Sequence, residues 1–149
     1  MSDLRALYQD TILDHSRRPR NFGRLAHPTH HSEGYNPLCG DKVEVFLEVE
    51  GEVVRDVSFE GAGCAISTSS ASLMTQAIKG KSVAEAMALF AGVRDLMMGK
   101  DGNDGGVKLG KLTVFQGVCE FPLRVKCATL AWHTLSTALA GKDDQVSTE

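Results

Sequence analysis

The sequence predicts an α+β protein with a small three-stranded antiparallel sheet, and three observations carry that expectation. Val43, Val45, Leu47 and Val49 alternate with Glu44, Phe46 and Glu48, the period of a strand with one apolar face. Gly51 then marks a turn, and Val53, Val57 and Phe59 continue as a second strand, giving an antiparallel hairpin. A short third strand is expected through Cys64 to Ile66, and apolar residues at helical spacing lie on both sides of this strand-rich stretch. With 149 residues the chain is long enough for a real core, and residues 1–149 are expected to form one domain.

In chain order, Leu4, Leu7, Tyr8, Thr11 and Ile12 predict a first amphipathic helix, capped by Ser2 or Asp3 and ending before Arg18-Pro19. Arg17, Arg18, Arg20 and Arg24 form a basic cluster that reads either as a solvated helix end or as a docking patch for an acidic partner. Leu25 to Tyr35 reads as loop; its His27, His30 and His31 have no second ligand at fixed spacing and are assigned to the surface. After the hairpin, the run from Ser67 to Ser72 leads Leu73, Met74, Ala77 and Ile78 into a helix stopped by Gly80. Ser82 and Glu85 form a capping box for a helix expected to end near Gly92. Residues 93–106 end in a turn-rich Asp/Asn/Gly run that lacks the ligand spacing of a calcium loop. Leu109, Leu112 and Phe115 suggest a short helix. The last helix is expected from Phe121 to Leu139, with Pro122 at an allowed early position, Gly141 as the stop, and Leu123, Cys127, Leu130, Ala131, Leu135 and Ala138 facing inward. Residues 142–149 are polar and expected to be a disordered tail.

The hydrophobic content of 42% and charged content of 23% are those of a soluble globular protein, and no apolar run is long enough to span a membrane. The N-terminus opens directly into a helical pattern without the layout of a signal peptide, so a cytoplasmic location is the default. A net charge of −3 argues against nucleic acid as a partner. Four cysteines in such a chain favour metal or thiol chemistry over disulfides.

Those cysteines stand at element boundaries. Cys39 and Asp41 are two residues apart, so in extended chain they face the same side; Gly40 lets the backbone fold tightly and Pro37 stiffens the entry. Cys64 lies just before a predicted helix N-terminus, where backbone N–H groups favour a thiolate. Cys127 lies near the start of the last helix. Three thiolates and a carboxylate meet the tetrahedral demand of zinc, although the paired Cys-x-x-Cys knuckles of zinc ribbons are absent, and cysteine also serves as a small buried hydrophobe. Cys119 competes as a fourth ligand, whereas His133, six positions after Cys127, should point elsewhere. The chain has neither the Gly-x-Ser-x-Gly elbow of a serine hydrolase nor the His-x-Glu and Pro-Cys-x-x-Cys of zinc deaminases.

Four stretches together resemble the SufU branch of the IscU/NifU-N superfamily: Asp14-His15 with Pro19-Arg20-Asn21-Phe22-Gly23; Asn36-Pro37-Leu38-Cys39-Gly40-Asp41; Gly61-Ala62-Gly63-Cys64-Ala65-Ile66-Ser67; and Lys126-Cys127-Ala128-Thr129-Leu130-Ala131-Trp132. The long stretch between Cys64 and Cys127 favours SufU over the IscU type, as does Lys126 where IscU-type scaffolds carry a histidine. Phe121-Pro122-Leu123-Arg124-Val125-Lys126 stands in place of a Leu-Pro-Pro-Val-Lys motif, so the resemblance implies no Hsp70-type chaperone partner. It implies an α+β fold with helices packed on the sheet, zinc held by Cys39, Asp41, Cys64 and Cys127, and Cys39 as acceptor of persulfide sulfur from a SufS-type cysteine desulfurase. From there the sulfur passes to a downstream iron–sulfur scaffold. Such a site carries about −2 overall, which Arg124 or Lys126 can offset. Two alternatives stand beside it: a scaffold that assembles a [2Fe–2S] cluster on the same thiols, and a non-enzymatic zinc-stabilised binding module.

Overall fold

The computed structural model describes residues 2–37, 40–98, 109–141 and 146–147, with side chains for these except residues 2–8, 117, 119, 120, 146 and 147. The helices are α1 (Ser2–Arg17), α2 (Ala65–Ile78), α3 (Val83–Met97) and α4 (Pro122–Leu139); the strands are β1 (His30–Asn36), β2 (Asp41–Glu50), β3 (Val53–Ala62) and β4 (Val146–Ser147). A 3₁₀ stretch, Gly110–Glu120, precedes α4. The sheet order is β3-β2-β1-β4. β1, β2 and β3 are antiparallel, and the two-residue β4 pairs in parallel with Gly34 and Tyr35 of β1. The predicted α+β class with a three-stranded antiparallel sheet is therefore what the chain adopts.

The predicted hairpin is β2–β3. Its connection holds Gly51 (φ 56°) and Glu52 (φ 67°), so two left-handed residues make a tight turn whose twist matches the strands. Val43, Val45, Leu47, Val57 and Phe59 turn inward into one core with Leu73, Met74, Ile78, Leu130, Trp132 and Leu135 from the helices. The opposite sheet face is polar: Arg24 bridges Glu44 (3.0 Å) and Glu60 (2.7 Å), and its guanidinium covers the Phe46 ring at 5.0 Å. Arg20 is likewise bound within the chain, to Asp14 at 2.6 Å, so half of the basic cluster is engaged internally while Arg17 and Arg18 are exposed.

The third strand is not where the sequence pattern placed it. Cys64 to Ile66 do not form a strand; Cys64 is the N-cap of α2, and Ala65 and Ile66 are its first residues. The third antiparallel strand is β1, in the stretch read as loop. Its inward positions are Ser32, Gly34 and Asn36, which lack the apolar alternation that marks a strand. They are small or polar because α4 lies directly on them: a Cβ at Gly34 would collide with Thr134 Oγ1 and sit 3.0 Å from Leu130 Cδ1.

The helices depart from expectation in two places. The Ser82–Glu85 capping box forms, but α3 continues through Gly92 to Met97, and Gly92 is a point of close packing within it, where a Cβ would stand 3.0 Å from Leu109 Cδ2. In α4 the stripe from Cys127 to Ala138 is buried as expected, whereas Leu123 is 58% exposed. The turn-rich run at 99–108 lies outside the described residues, as do 142–145, 148 and 149 of the expected tail, whereas Val146 and Ser147 of that tail pair with β1 as β4 instead of forming a disordered end.

Candidate metal centre

Asp41, Cys64 and Cys127 converge. Their donor atoms, one carboxylate oxygen and two sulfurs, all lie within 4.8 Å of one another. Each comes from a different element: Asp41 opens β2, Cys64 caps α2, and Cys127 sits in the second turn of α4.

Local geometry explains how each is held. The Asp41 carboxylate is completely buried, its Oδ1 accepts the backbone N–H of Cys64 at 2.9 Å, and its Oδ2 stands 3.9 Å from Cys64 Sγ. Gly63 makes this approach feasible, since a Cβ there would lie 2.5 Å from Asp41 Oδ1. Gly61 has the same function against the β2 backbone: its missing Cβ would collide with the Lys42 carbonyl. Cys64 acts as a helix cap, its sulfur accepting the Ser67 N–H at 3.4 Å, so a first-turn amide of α2 is aimed at it. Cys127 is 2% exposed and receives the side-chain amide of Asn36 at 3.7 Å. Next to it, Ser70 of α2 donates to the Ala128 carbonyl at 2.5 Å, locking α2 and α4 together beside the donors.

This set fits zinc. Bonds of about 2.3 Å to sulfur and about 2.1 Å to oxygen imply a sulfur and an oxygen about 3.6 Å apart in a tetrahedron, within a few tenths of an ångström of the 3.9 Å between Cys64 Sγ and Asp41 Oδ2. Two thiol sulfurs and a buried carboxylate also match zinc's preference for mixed sulfur and oxygen donors. Three donors leave one tetrahedral position for a fourth ligand.

Of the other predicted site residues, Cys39 lies outside the described residues, as does the side chain of Cys119. Its neighbour Gly40 (φ 72°) donates its N–H to the Asn36 carbonyl at 2.8 Å. Arg124 is exposed and Lys126 half-buried on the first turns of α4. His133 points away from the donors, as expected, with its ring 5.1 Å from Phe90. His30 and His31 lie on β1 rather than in a loop, and neither joins a donor group among the described residues.

Sequence reasoning missed the interactions that hold the donors in place. Asn36 and Gly63 belong to the quoted stretches, yet their contacts with Cys127 and Asp41 span long sequence separations that no local pattern encodes. His15 was another such residue: it is 2% exposed, with Nδ1 2.7 Å from Ser72 Oγ, which also accepts the Arg20 N–H at 2.9 Å.

The chain is similar in sequence and in fold to known proteins. Residues 7–143 match the family model described as the NifU-like N terminal domain. The chain is 42% identical over 142 residues to the zinc-dependent sulfurtransferase SufU of Bacillus subtilis, covering 95% of each chain. It is 38% identical over 139 residues to the iron–sulfur cluster assembly scaffold protein IscU of Streptococcus pyogenes, covering 93% of this chain and 86% of that one. Among solved structures, FiSufU of Fervidobacterium islandicum AW-1 superposes with a TM-score of 0.82 at 36% identity, over 87% of this chain and 94% of the other.

Proposed function

The chain belongs to the family of NifU-like N-terminal domains, and we propose that it is a zinc-dependent sulfur acceptor in iron–sulfur cluster assembly. The observation that carries this reading is the convergence of Asp41, Cys64 and Cys127 within 4.8 Å, in a chain 42% identical to a relative named as a zinc-dependent sulfurtransferase. Cys39 completes the ligand set and is the acceptor. Bound zinc would keep the thiols deprotonated and screen their mutual repulsion.

The transfer follows the rules of thiol–disulfide exchange. The Cys39 thiolate attacks the outer sulfur of a persulfide carried by a SufS-type cysteine desulfurase. The sulfur–sulfur bond of that persulfide breaks, the desulfurase thiolate leaves, and Cys39 retains the transferred sulfur as its own persulfide. A downstream iron–sulfur scaffold then takes the sulfur. Asp41 and Cys127, both buried, and Cys64, fixed as a helix cap, hold their positions while Cys39 reacts. Arg124 and Lys126, on the same helix as Cys127, offset the negative charge of the ligand set. The reaction belongs in the cytoplasm, where thiols stay reduced; among the described residues no helix is long and apolar enough to cross a membrane.

The test is to add reduced, zinc-loaded protein to a SufS-type desulfurase and follow alanine release from cysteine. Faster turnover, with persulfide located on Cys39 by mass spectrometry, is the expected result; unchanged turnover overturns the reading. The IscU relative at 38% identity supports a second reading, assembly of a [2Fe–2S] cluster on the same thiols. Anaerobically purified protein that is brown rather than colourless, with iron in place of zinc, would decide for it.

A further inference from the structure

Asn36 is the last residue of β1 and completely buried, an environment in which an amide must find partners. Its backbone pairs with Asp41 across the β1–β2 register, and its carbonyl accepts the Gly40 N–H at 2.8 Å. Its side chain reaches the other way, and the amide nitrogen donates to Cys127 Sγ at 3.7 Å, across 91 residues of sequence. One residue thus ties the strand ends that flank Cys39 in sequence to the thiol on α4.

We propose that Asn36 is a positioning residue of the candidate metal centre, whose N–H···S bond holds Cys127 as a persistent ligand. The inference rests on the zinc reading above. A hydrogen bond to a charged acceptor is roughly twice as strong as one between neutral groups. It orients the sulfur and stabilises its negative charge, which favours metal binding; it also withdraws electron density, which lowers the sulfur's strength as a nucleophile. The two effects together select a ligand that stays in place. Cys64 receives its N–H from the backbone of Ser67, so at Cys127 the donor is a side chain and substitution can remove it.

The test uses the full chain loaded with Co(II) or with zinc. Asn36→Ala deletes the donor but keeps the backbone bond to Gly40. Asn36→Asp keeps the shape and turns the donor into an acceptor facing a thiolate. The expected result for Asn36→Ala is a shift of the thiolate-to-Co(II) charge-transfer bands to lower energy and zinc affinity weakened about 10- to 100-fold in competition with a chromogenic chelator. Asn36→Asp should weaken zinc at least as much. A packing role alone would leave Asn36→Asp close to wild type, and that result overturns the proposal. So do wild-type bands and affinity in Asn36→Ala, which carries the test alone if Asn36→Asp fails to fold. If Cys127→Ser binds zinc as tightly as wild type, the zinc reading falls and this inference with it; if Cys127→Ser loses zinc while both Asn36 variants keep it, only this inference falls.

Discussion

At Gly63 the chain passes so close to Asp41 that a single methyl group decides whether the carboxylate keeps its place. Gly63→Ala would put a Cβ 2.5 Å from Oδ1 and 3.1 Å from Cγ, forcing the carboxylate away from Cys64. The expected outcome is weakened zinc binding, read by chelator competition, with the far-ultraviolet circular dichroism of the folded protein retained. The thiols separate in the same assay. Cys64→Ser and Cys127→Ser should lose zinc, because each supplies a donor from a fixed element. Cys119→Ser should keep zinc and sulfur acceptance. Cys39→Ser should abolish sulfur acceptance; a persulfide found on Cys119 instead would move the acceptor there.

The packing of α4 on β1 leaves no room for a side chain at Gly34. Gly34→Ala forces Thr134 and Leu130 to shift, and overpacking of this kind costs about 1–3 kcal/mol, measurable as a lower urea midpoint. Two helices also carry imidazoles withdrawn from solvent, His15 buried and His133 half-buried. His15 on α1 and His133 on α4 both have pKa values lowered from 6.5, chiefly by desolvation and secondarily by Arg20 and Arg94 respectively. The unfolded chain therefore binds protons at a higher pH than the folded one. This contribution to stability is complete above pH 6.5 and declines as the pH falls below it. Urea unfolding of metal-free protein across this range should show that decline, and His15→Gln should make it shallower. A profile unchanged in His15→Gln would mean that α1 docks on α2 without regard to the charge of this ring.

Across the whole molecule the candidate metal centre joins three elements that are remote in sequence: Asp41 and Cys64 are 23 residues apart, and Cys127 lies on the last helix. A metal that binds only the folded arrangement stabilises it by mass action. Chelation should therefore lower the melting temperature, and readdition of zinc should restore it. An unchanged melt after proven metal loss would show that the core of sheet and helices stands without the centre.

The β2–β3 hairpin, the capping box at Ser82 and the course of α4 were legible in the sequence because each rests on local rules: alternation, a left-handed turn, a cap three residues from its partner, a proline at the first helical position. The cysteines and Asp41 were legible as candidates because thiols and a carboxylate at element boundaries, in motifs that resemble a known family, name their own chemistry. What tertiary structure decided is where those rules are silent. β1 carries no apolar alternation because α4 presses on Gly34, so only the packed helix reveals it as a strand. Cys64, expected both in a short strand and just before a helix N-terminus, is the helix cap, because the first turn of α2 and the Asp41 carboxylate both bind it. The bond from Asn36 to Cys127 exists only after 91 residues of chain have folded back, a distance over which no sequence period operates, so the support beneath the candidate ligands was written by the fold.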